Sequence, residues 1–243
     1  MNYTIEIATN DFITTKSAVE GGADRIELCA ALSEGGITPS HGTIIKCRQA
    51  FDVQIFPIIR NRGGDFLYAD AEFEIMLHDV KLCKQAGCDG VVIGLLQKDG
   101  SVDVRRTAKL IETAYPLEVT FHRAFDRCKD PFKTLEQLIE VGCQRILTSG
   151  QQPTAPQGIE LIAQLIKAAD ERIIIMPGSG VRKENIKELQ QQTGAIEFHA
   201  SLRSKANSKM EFIHPAFAGN EESYVNSAID TADVKALREA LQR

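Results

Sequence analysis

The stretch Leu117-Glu-Val-Thr-Phe-His-Arg-Ala-Phe-Asp126 decides how the chain is read. Leu117, Val119 and Phe121 alternate with Glu118 and Thr120, the period-two pattern of a short strand. The strand runs directly into His122, Arg123 and Asp126, and Asp130-Pro131 then breaks the chain direction. An imidazole, a guanidinium and a carboxylate thus leave the carboxyl end of one strand within five residues, a trio that core packing does not need. If neighbouring strands end in the same way, the chain builds a polar pocket around this point.

Working outward, the same unit recurs. Towards the amino terminus, strands are expected over 3–8, 25–29, 53–59 and 90–94, with helices over 12–21, 42–50, 71–86 and 104–114. Phe73, Leu77, Val80 and Leu82 supply an inner face for the longest of these helices. Towards the carboxyl terminus come a helix over 131–141, strands over 145–149, 172–176 and 196–199, and helices over 158–169 and from Arg182. Pro131 suits a first helical turn, where its missing N–H has no intrahelical partner. Residues 201–226 read as a long, irregular polar segment before a last helix over 233–241.

Apolar strands alternating with amphipathic helices imply a parallel sheet covered by helices. Eight such units in 243 residues fit a closed (β/α)8 barrel better than an open doubly wound sheet. No Gly-x-Gly-x-x-Gly follows the first strand, which weakens the open-sheet alternative. The expected fold is therefore α/β, a single-domain TIM barrel over residues 1–243.

Composition narrows the function classes. A net charge of -5 and a pI near 5.6 argue against a nucleic-acid or anionic-membrane surface. No apolar run approaches the roughly 20 residues of a membrane span. The amino terminus lacks the basic start of a signal peptide, and Glu6 interrupts its apolar run. Six cysteines without framework spacing suit reduced thiols in a cytosol. The expectation is a soluble cytoplasmic protein with no nucleic-acid or membrane partner.

A barrel places ligands at the carboxyl ends of its strands. Those ends supply Glu27 and Cys29, then Arg60, Arg62 and Asp65, then His122, Arg123 and Asp126, then Ser149, and last His199, Ser201 and Arg203. Glu6 lies deeper in the first strand, between Ile5 and Ile7, so its carboxylate should point into the barrel. Glu6, Glu27, His122, Arg123 and Asp126 form the expected acid/base set. Arg60, Arg62, Asp65, Ser149, Gly178, Gly180, His199, Ser201 and Arg203 form the expected ligand-holding set.

Each group also has a plainer reading. The charges could simply neutralise one another, although such a network is costly to bury for stability alone, which favours a ligand site. His122 could hydrogen-bond a backbone carbonyl rather than move a proton. Glu6 and Glu27 could act as bases or could hold Arg60 and Arg123 by bidentate pairing. Arg62-Gly-Gly-Asp65 could be only a turn needing positive φ at glycine. Pro177-Gly-Ser-Gly180 ahead of a helix either makes a tight turn or offers N–H groups to an anion, with Arg203 assisting.

Six stretches together resemble the CutC copper homeostasis family: Gly21-Gly-Ala-Asp-Arg-Ile-Glu-Leu-Cys29, Ser33-Glu-Gly-Gly-Ile-Thr-Pro-Ser40, Arg62-Gly-Gly-Asp-Phe66, Thr120-Phe-His-Arg-Ala-Phe-Asp126, Arg145-Ile-Leu-Thr-Ser-Gly150 and Glu197-Phe-His199. The resemblance covers nearly the whole chain in order. It implies a cytoplasmic (β/α)8 barrel that forms homodimers and handles copper. Carried over, Cys29 matches the family's thiol at the end of strand two. A second thiol often stands at the end of strand one, where this chain has Ala8.

Cu(I) prefers soft thiolate or thioether ligands, so Cys128, in the loop after strand five, is the expected substitute partner of Cys29. Cys83, Cys88 and Cys143 precede strands and should lie at the other end of the barrel. The competing class is an enzyme, since arginines, histidines and carboxylates are hard groups matched to a small anionic carboxylate or phosphate metabolite. Isomerase, lyase and hydrolase chemistry are all compatible with that set. Copper, as Cu(I), is the only cofactor expected.

Overall fold

The computed structural model describes residues 3–217 and 224–242. Eight parallel strands form the wall of a (β/α)8 barrel: β1 (Thr4–Thr9), β2 (Arg25–Leu28), β3 (Gln54–Pro57), β4 (Gly90–Ile93), β5 (Glu118–Phe121), β6 (Arg145–Thr148), β7 (Ile174–Pro177) and β8 (Glu197–Ala200). Hydrogen bonding joins them in two arcs, β3-β2-β1-β8 and β4-β5-β6-β7. A parallel bridge between Ile58 and Val92 ties β3 to β4. On the opposite seam β7 and β8 lie side by side. Gly178 allows that approach, because a Cβ there would stand 2.4 Å from Leu147 Cδ1 and 3.2 Å from the His199 side chain.

The helices surround this wall: α1 (Phe12–Glu20), α2 (His41–Ala50), α3 (Asp70–Gln85), α4 (Val104–Ala114), α5 (Pro131–Glu140), α6 (Ile159–Ala169), α7 (Ile186–Thr193) and α8 (Thr231–Gln242). Short polar side chains start several of them. Asp11, Ser40, Asp103 and Asp130 each accept a hydrogen bond from a backbone N–H of the first turn, worth about 1 kcal/mol apiece. The helix expected from Arg182 begins only at Ile186. Between them the Asn185 side chain accepts from Arg182 N at 2.9 Å, holding residues 182–185 in a turn instead.

Three helices end alike. At the ends of α1, α3 and α5, Ala23, Cys88 and Cys143 donate backbone N–H bonds to Ala18, Cys83 and Leu138, five residues back. Gly22, Gly87 and Gly142 take the positive φ that each turn requires. This Schellman geometry brings the two flanking side chains together.

Period two divides the strand residues between two environments. Ile5, Ile7, Ile26, Leu28, Val119, Phe121, Ile146 and Phe198 face the helices and belong to the main hydrophobic core. Their alternates face the barrel axis, where the packing is largely polar. Arg25, among the largest fully buried side chains, donates from Nε to Glu6 Oε2 and from Nη2 to Glu197 Oε2, each at 2.5 Å. Arg145 reaches Glu197 Oε2 from the other side at 2.5 Å and Glu118 Oε2 at 3.2 Å. Phe56 lies beneath both guanidinium groups, 5.1 and 5.6 Å from its ring centre. Gly90 leaves room for that ring, which a Cβ would meet at 2.4 Å.

After β8 the segment expected to be irregular contains paired strands. Residues Arg203–Asn207 (β9) and Val225–Ile229 (β10) pair as an antiparallel hairpin. Inter-strand hydrogen bonds satisfy a backbone whose polar side chains had read as unstructured. A 3-10 turn, Pro215–Phe217, lies within the connection, and residues 218–223 fall outside those described.

Candidate functional site at the barrel mouth

The carboxyl ends of the strands open into a cavity of about 990 Å³. Glu27, Arg60, His122, His199, Ser201 and Arg203 all line it, as expected. So do Arg123, Asp65 and Gly180. Six basic side chains (Arg60, Lys98, Arg123, Arg127, Arg182, Arg203) face three acidic ones (Glu27, Glu34, Asp65). The mouth is therefore cationic on a protein of net negative charge.

Its floor is a carboxylate–imidazole–carboxylate row. His199 Nδ1 lies 2.7 Å from Glu6 Oε1, and its Nε2 lies 3.8 Å from Glu27 Oε2. Burial pushes the Glu6 carboxyl up, but Arg25 and His199 outweigh it and hold Glu6 down to about 2. Burial, reinforced by the Glu6 charge, raises Glu27 against the pull of His199. Burial also disfavours the His199 imidazolium, yet the flanking carboxylates of Glu27 and Glu6 prevail and raise its pKa. Two carboxyl groups of one row are thus driven in opposite directions: Glu6 is held as the anion, while Glu27 is pushed towards its protonated form.

His122, on the wall, is driven in the opposite direction from His199. Burial and the Arg60 guanidinium lower it to about 3. Its Nδ1 accepts from Ala124 N at 3.1 Å, which leaves the proton on Nε2. That Nε2 is buried and has no hydrogen-bond partner among the described residues. The Phe66 ring lies 4.9 Å from the imidazole centre and 5.2 Å from the Arg60 guanidinium carbon. Gly94 makes space for the imidazole, since a Cβ there would meet its ring at 2.3 Å.

The arginines play parts that differ from those foreseen. Glu6 and Glu27 do not hold Arg60 or Arg123. Arg60 donates to the carbonyls of Glu34, Gly36 and Gly64 at 2.7–2.9 Å, so backbone dipoles rather than a carboxylate hold its charge. Arg123 pairs with Asp126 Oδ2 at 2.7 Å and Ser149 Oγ at 2.8 Å. Asp126 also accepts from Ser149 N, Gln151 N and Thr148 Oγ1. With its oxygens so engaged, Asp126 is a positioning group for Arg123 rather than a free acid or base. Arg62 turns away from the cavity to Glu72 and Asp65, and its guanidinium stacks over Tyr68 instead. Gly178 serves the β7–β8 contact, and Ser149 serves the Asp126 cluster.

The two thiols expected as a pair are in different surroundings. Cys29 packs inside the barrel with Phe56, Ile58 and Val92. Cys128 belongs to the main core outside the strand wall, with Gln151 against its carbonyl. Burial and the Glu27 charge drive the Cys29 thiol well up, which keeps it protonated. No group of three or more His, Cys, Asp or Glu side chains among the described residues is placed to hold a metal ion. The donors at the mouth therefore do not fit a Cu(I) site, which wants converging thiolates.

Sequence reading missed the layer below the floor: Arg25, Arg145 and Glu197. Ligand-binding residues are expected at strand carboxyl ends, and these three residues begin their strands. The signal was present in the alternation of Arg25 and Glu27 with Ile26 and Leu28, and of Glu197 and His199 with Phe198.

Fold and site together define a TIM-barrel protein with a cationic, acid/base-bearing mouth. The sequence model of the CutC family matches residues 3–204, and the chain belongs to that family. A CutC protein of Parabacteroides distasonis is 56% identical over 213 residues, covering 87% of this chain and 88% of the relative. One from Chromobacterium violaceum is 45% identical with both chains fully covered. The crystal structure of CutC from Streptococcus agalactiae, named for copper homeostasis, aligns with a TM-score of 0.79 at 31% identity, covering 82% of this chain and 98% of that one. Phosphoribosylanthranilate isomerase of Thermotoga maritima, at 12% identity and a TM-score of 0.60 with 99% and 98% coverage, shares the fold alone.

Proposed function

We propose that the barrel mouth binds a small anionic metabolite, a carboxylate or phosphate, and performs acid–base chemistry on it. The observation that carries this reading is His122 Nε2, a buried N–H donor without a partner on the wall of a cationic cavity. Leaving such a donor unsatisfied costs about 1–3 kcal/mol, which a ligand oxygen would offset. Arg203, Arg182 and Lys98 draw the anion in, and Arg60 adds a buried positive charge behind His122. Glu27 gives or takes the proton, since its raised pKa moves it towards the operating pH of a general acid or base. His199, locked to Glu6, sets that pKa.

Copper handling is the second reading, supported by the name of the Streptococcus agalactiae relative. Cys29 as its ligand stands against the protonated, isolated thiol described above. The cytoplasmic location and the homodimer belong to the proposal through the family resemblance. No helix among the described residues is long and apolar enough to cross a membrane.

The experiment is a thermal-shift titration with phosphomonoesters and di- and tricarboxylates at fixed ionic strength. Wild type, Arg203→Ala and His122→Leu are run in parallel. Saturation of wild type to about 100 times Kd should add about 2.7 kcal/mol of stability, and both variants should lose the gain. If no anion acts beyond an equal ionic strength of KCl, the proposal fails.

A further inference from the structure

His122 is placed to donate a hydrogen bond and not to take a proton. The Ala124 N–H occupies its Nδ1 at 3.1 Å, so the ring proton is assigned to Nε2, where it meets no acceptor among the described residues. A second ring proton would be driven into the Ala124 contact, so geometry as well as burial beside Arg60 keeps the imidazole neutral. A neutral imidazole N–H does not surrender its proton; it shares it with an oxygen on which negative charge develops.

Arg60 fixes a positive charge in the same corner. Carbonyls of Glu34, Gly36 and Gly64 hold its two Nη groups at 2.7–2.9 Å, and its Nε is a second buried donor without a partner. The Phe66 ring packs on both groups, 4.9 Å from the imidazole centre and 5.2 Å from the guanidinium carbon. Such an apolar cover strengthens the electrostatics beneath it.

Glu27 belongs to the other arc of the wall and lines the same cavity. His199 Nε2 stands 3.8 Å from Glu27 Oε2, beyond hydrogen-bond distance, so the carboxylate keeps lone pairs for a ligand. Strand alternation sets Ala8, Glu27, Ile58, His122, Leu147 and His199 around the cavity. Three of these six are apolar, which suits carbon atoms lying between the base and the donor. Lys98, the one lysine among the described lining residues, is exposed, so no buried amine is offered for an imine.

We propose that the mouth enolises a small carbonyl compound bearing a phosphate or carboxylate, with Glu27 as the base and the His122 Nε2–H, backed by Arg60, as the oxyanion donor. This rests on the anion site proposed above and names the reaction performed there. The Glu27 carboxylate takes a proton from the carbon beside the carbonyl. The C–H electron pair becomes the C=C bond, and the carbonyl π pair moves onto the oxygen facing His122. Return of the proton to the same carbon gives back the substrate or its epimer. No oxidant, reductant or second substrate is consumed, and solvent exchange at the Glu27 carboxyl marks each cycle.

The test is proton NMR in D2O near neutral pD, following loss of the C–H signals beside the carbonyl. Dihydroxyacetone phosphate, D-ribulose 5-phosphate and hydroxypyruvate are the probes. Wild type, Glu27→Gln, His122→Leu and His122→Gln are compared, with circular dichroism to check folding. Wild type should exchange at least one probe faster than buffer alone. Glu27→Gln should lose about a hundredfold or more of that rate while anions still raise its melting temperature. His122→Leu should lose about a hundred- to a thousandfold, and His122→Gln, which keeps an N–H, should recover part of it. No exchange above buffer with any probe, or exchange undiminished in Glu27→Gln, would overturn the enolisation. The thermal-shift titration reads the anion site on the same samples: anions that bind without exchange sink the enolisation alone, whereas no anion effect sinks the anion site itself.

Discussion

Glu6 and His199 face each other in register across the β1–β8 pairing and are joined by a 2.7 Å contact at the base of the mouth. That contact couples the acid/base floor to the charge layer beneath it, because the other oxygen of Glu6 accepts from Arg25. Function at the mouth and stability of the barrel interior therefore meet in one carboxylate.

Loss of that carboxylate is expected to be severe. Glu6→Gln leaves Arg25 and His199 without their shared buried anion, and breaking such a pair costs about 3–5 kcal/mol. Urea unfolding followed by circular dichroism reads the shift in midpoint. Replacing Glu6 and Arg25 together by Leu and Met should cost less than Glu6→Gln alone, since the buried guanidinium that lost its carboxylate is gone and Glu197 keeps Arg145. A double variant as unstable as the sum of the two singles would contradict this.

Stability should depend on pH through the same row. The raised pKa of His199 means that its imidazolium stabilises the fold fully below its ordinary value of 6.5. The contribution is lost as pH climbs through the higher folded value. Glu6, lowered from 4.5 to about 2, contributes above 4.5 and loses that contribution as pH falls towards 2. Glu27, raised from 4.5, favours the folded state at low pH and ceases to do so as pH rises through its folded value. In His199→Gln the deficit relative to wild type should be largest at mildly acidic pH and shrink on the alkaline side. Unfolding free energies from about pH 4 to 9 measure it, and a deficit independent of pH would exclude the charged imidazolium.

Asp126→Asn should detach Arg123. The carboxylate accepts from Arg123, Ser149 and Thr148, and a hydrogen bond to a charged group is worth about 1.5–3 kcal/mol. A lower melting temperature and weaker anion binding are expected together. Restored anion affinity at low temperature, where the variant is fully folded, would confine Asp126 to a structural part.

Gly94→Ala tests His122 without changing any polar group. The added Cβ meets the imidazole ring at 2.3 Å and Ala124 Cβ at 2.9 Å, so the ring must move. Overpacking of this kind costs about 1–3 kcal/mol. Anion binding should fall as far as in His122→Leu. Unchanged binding with lowered stability would remove His122 from ligand contact.

The eight β/α units were legible because the strands carry a period-two apolar face and most of the helices a capping residue or a glycine stop. Glu27, His122, His199 and Arg203 were legible as mouth residues for a related reason, since strand polarity dictates where their side chains emerge. The pairing of charges was not. Whether Glu6 meets Arg25 or Arg60 depends on stagger between neighbouring strands, and alternation within one strand carries no information about that. The hairpin β9–β10 was illegible because β9 is exposed along its whole length and β10 fully buries only Ile229, so neither carries the apolar alternation that marks a half-buried strand.

One consequence of the hairpin concerns where the barrel can be cut. The family match ends at residue 204, yet the ring of helices is closed by α8, beyond that boundary. Val234 fits against Gly21 so tightly that a Cβ there would stand 2.5 Å away, and Arg238 donates to Gly22 O at 2.9 Å. The last helix is thus a keystone that lies outside the family match, and its seat on α1 is set by close contact.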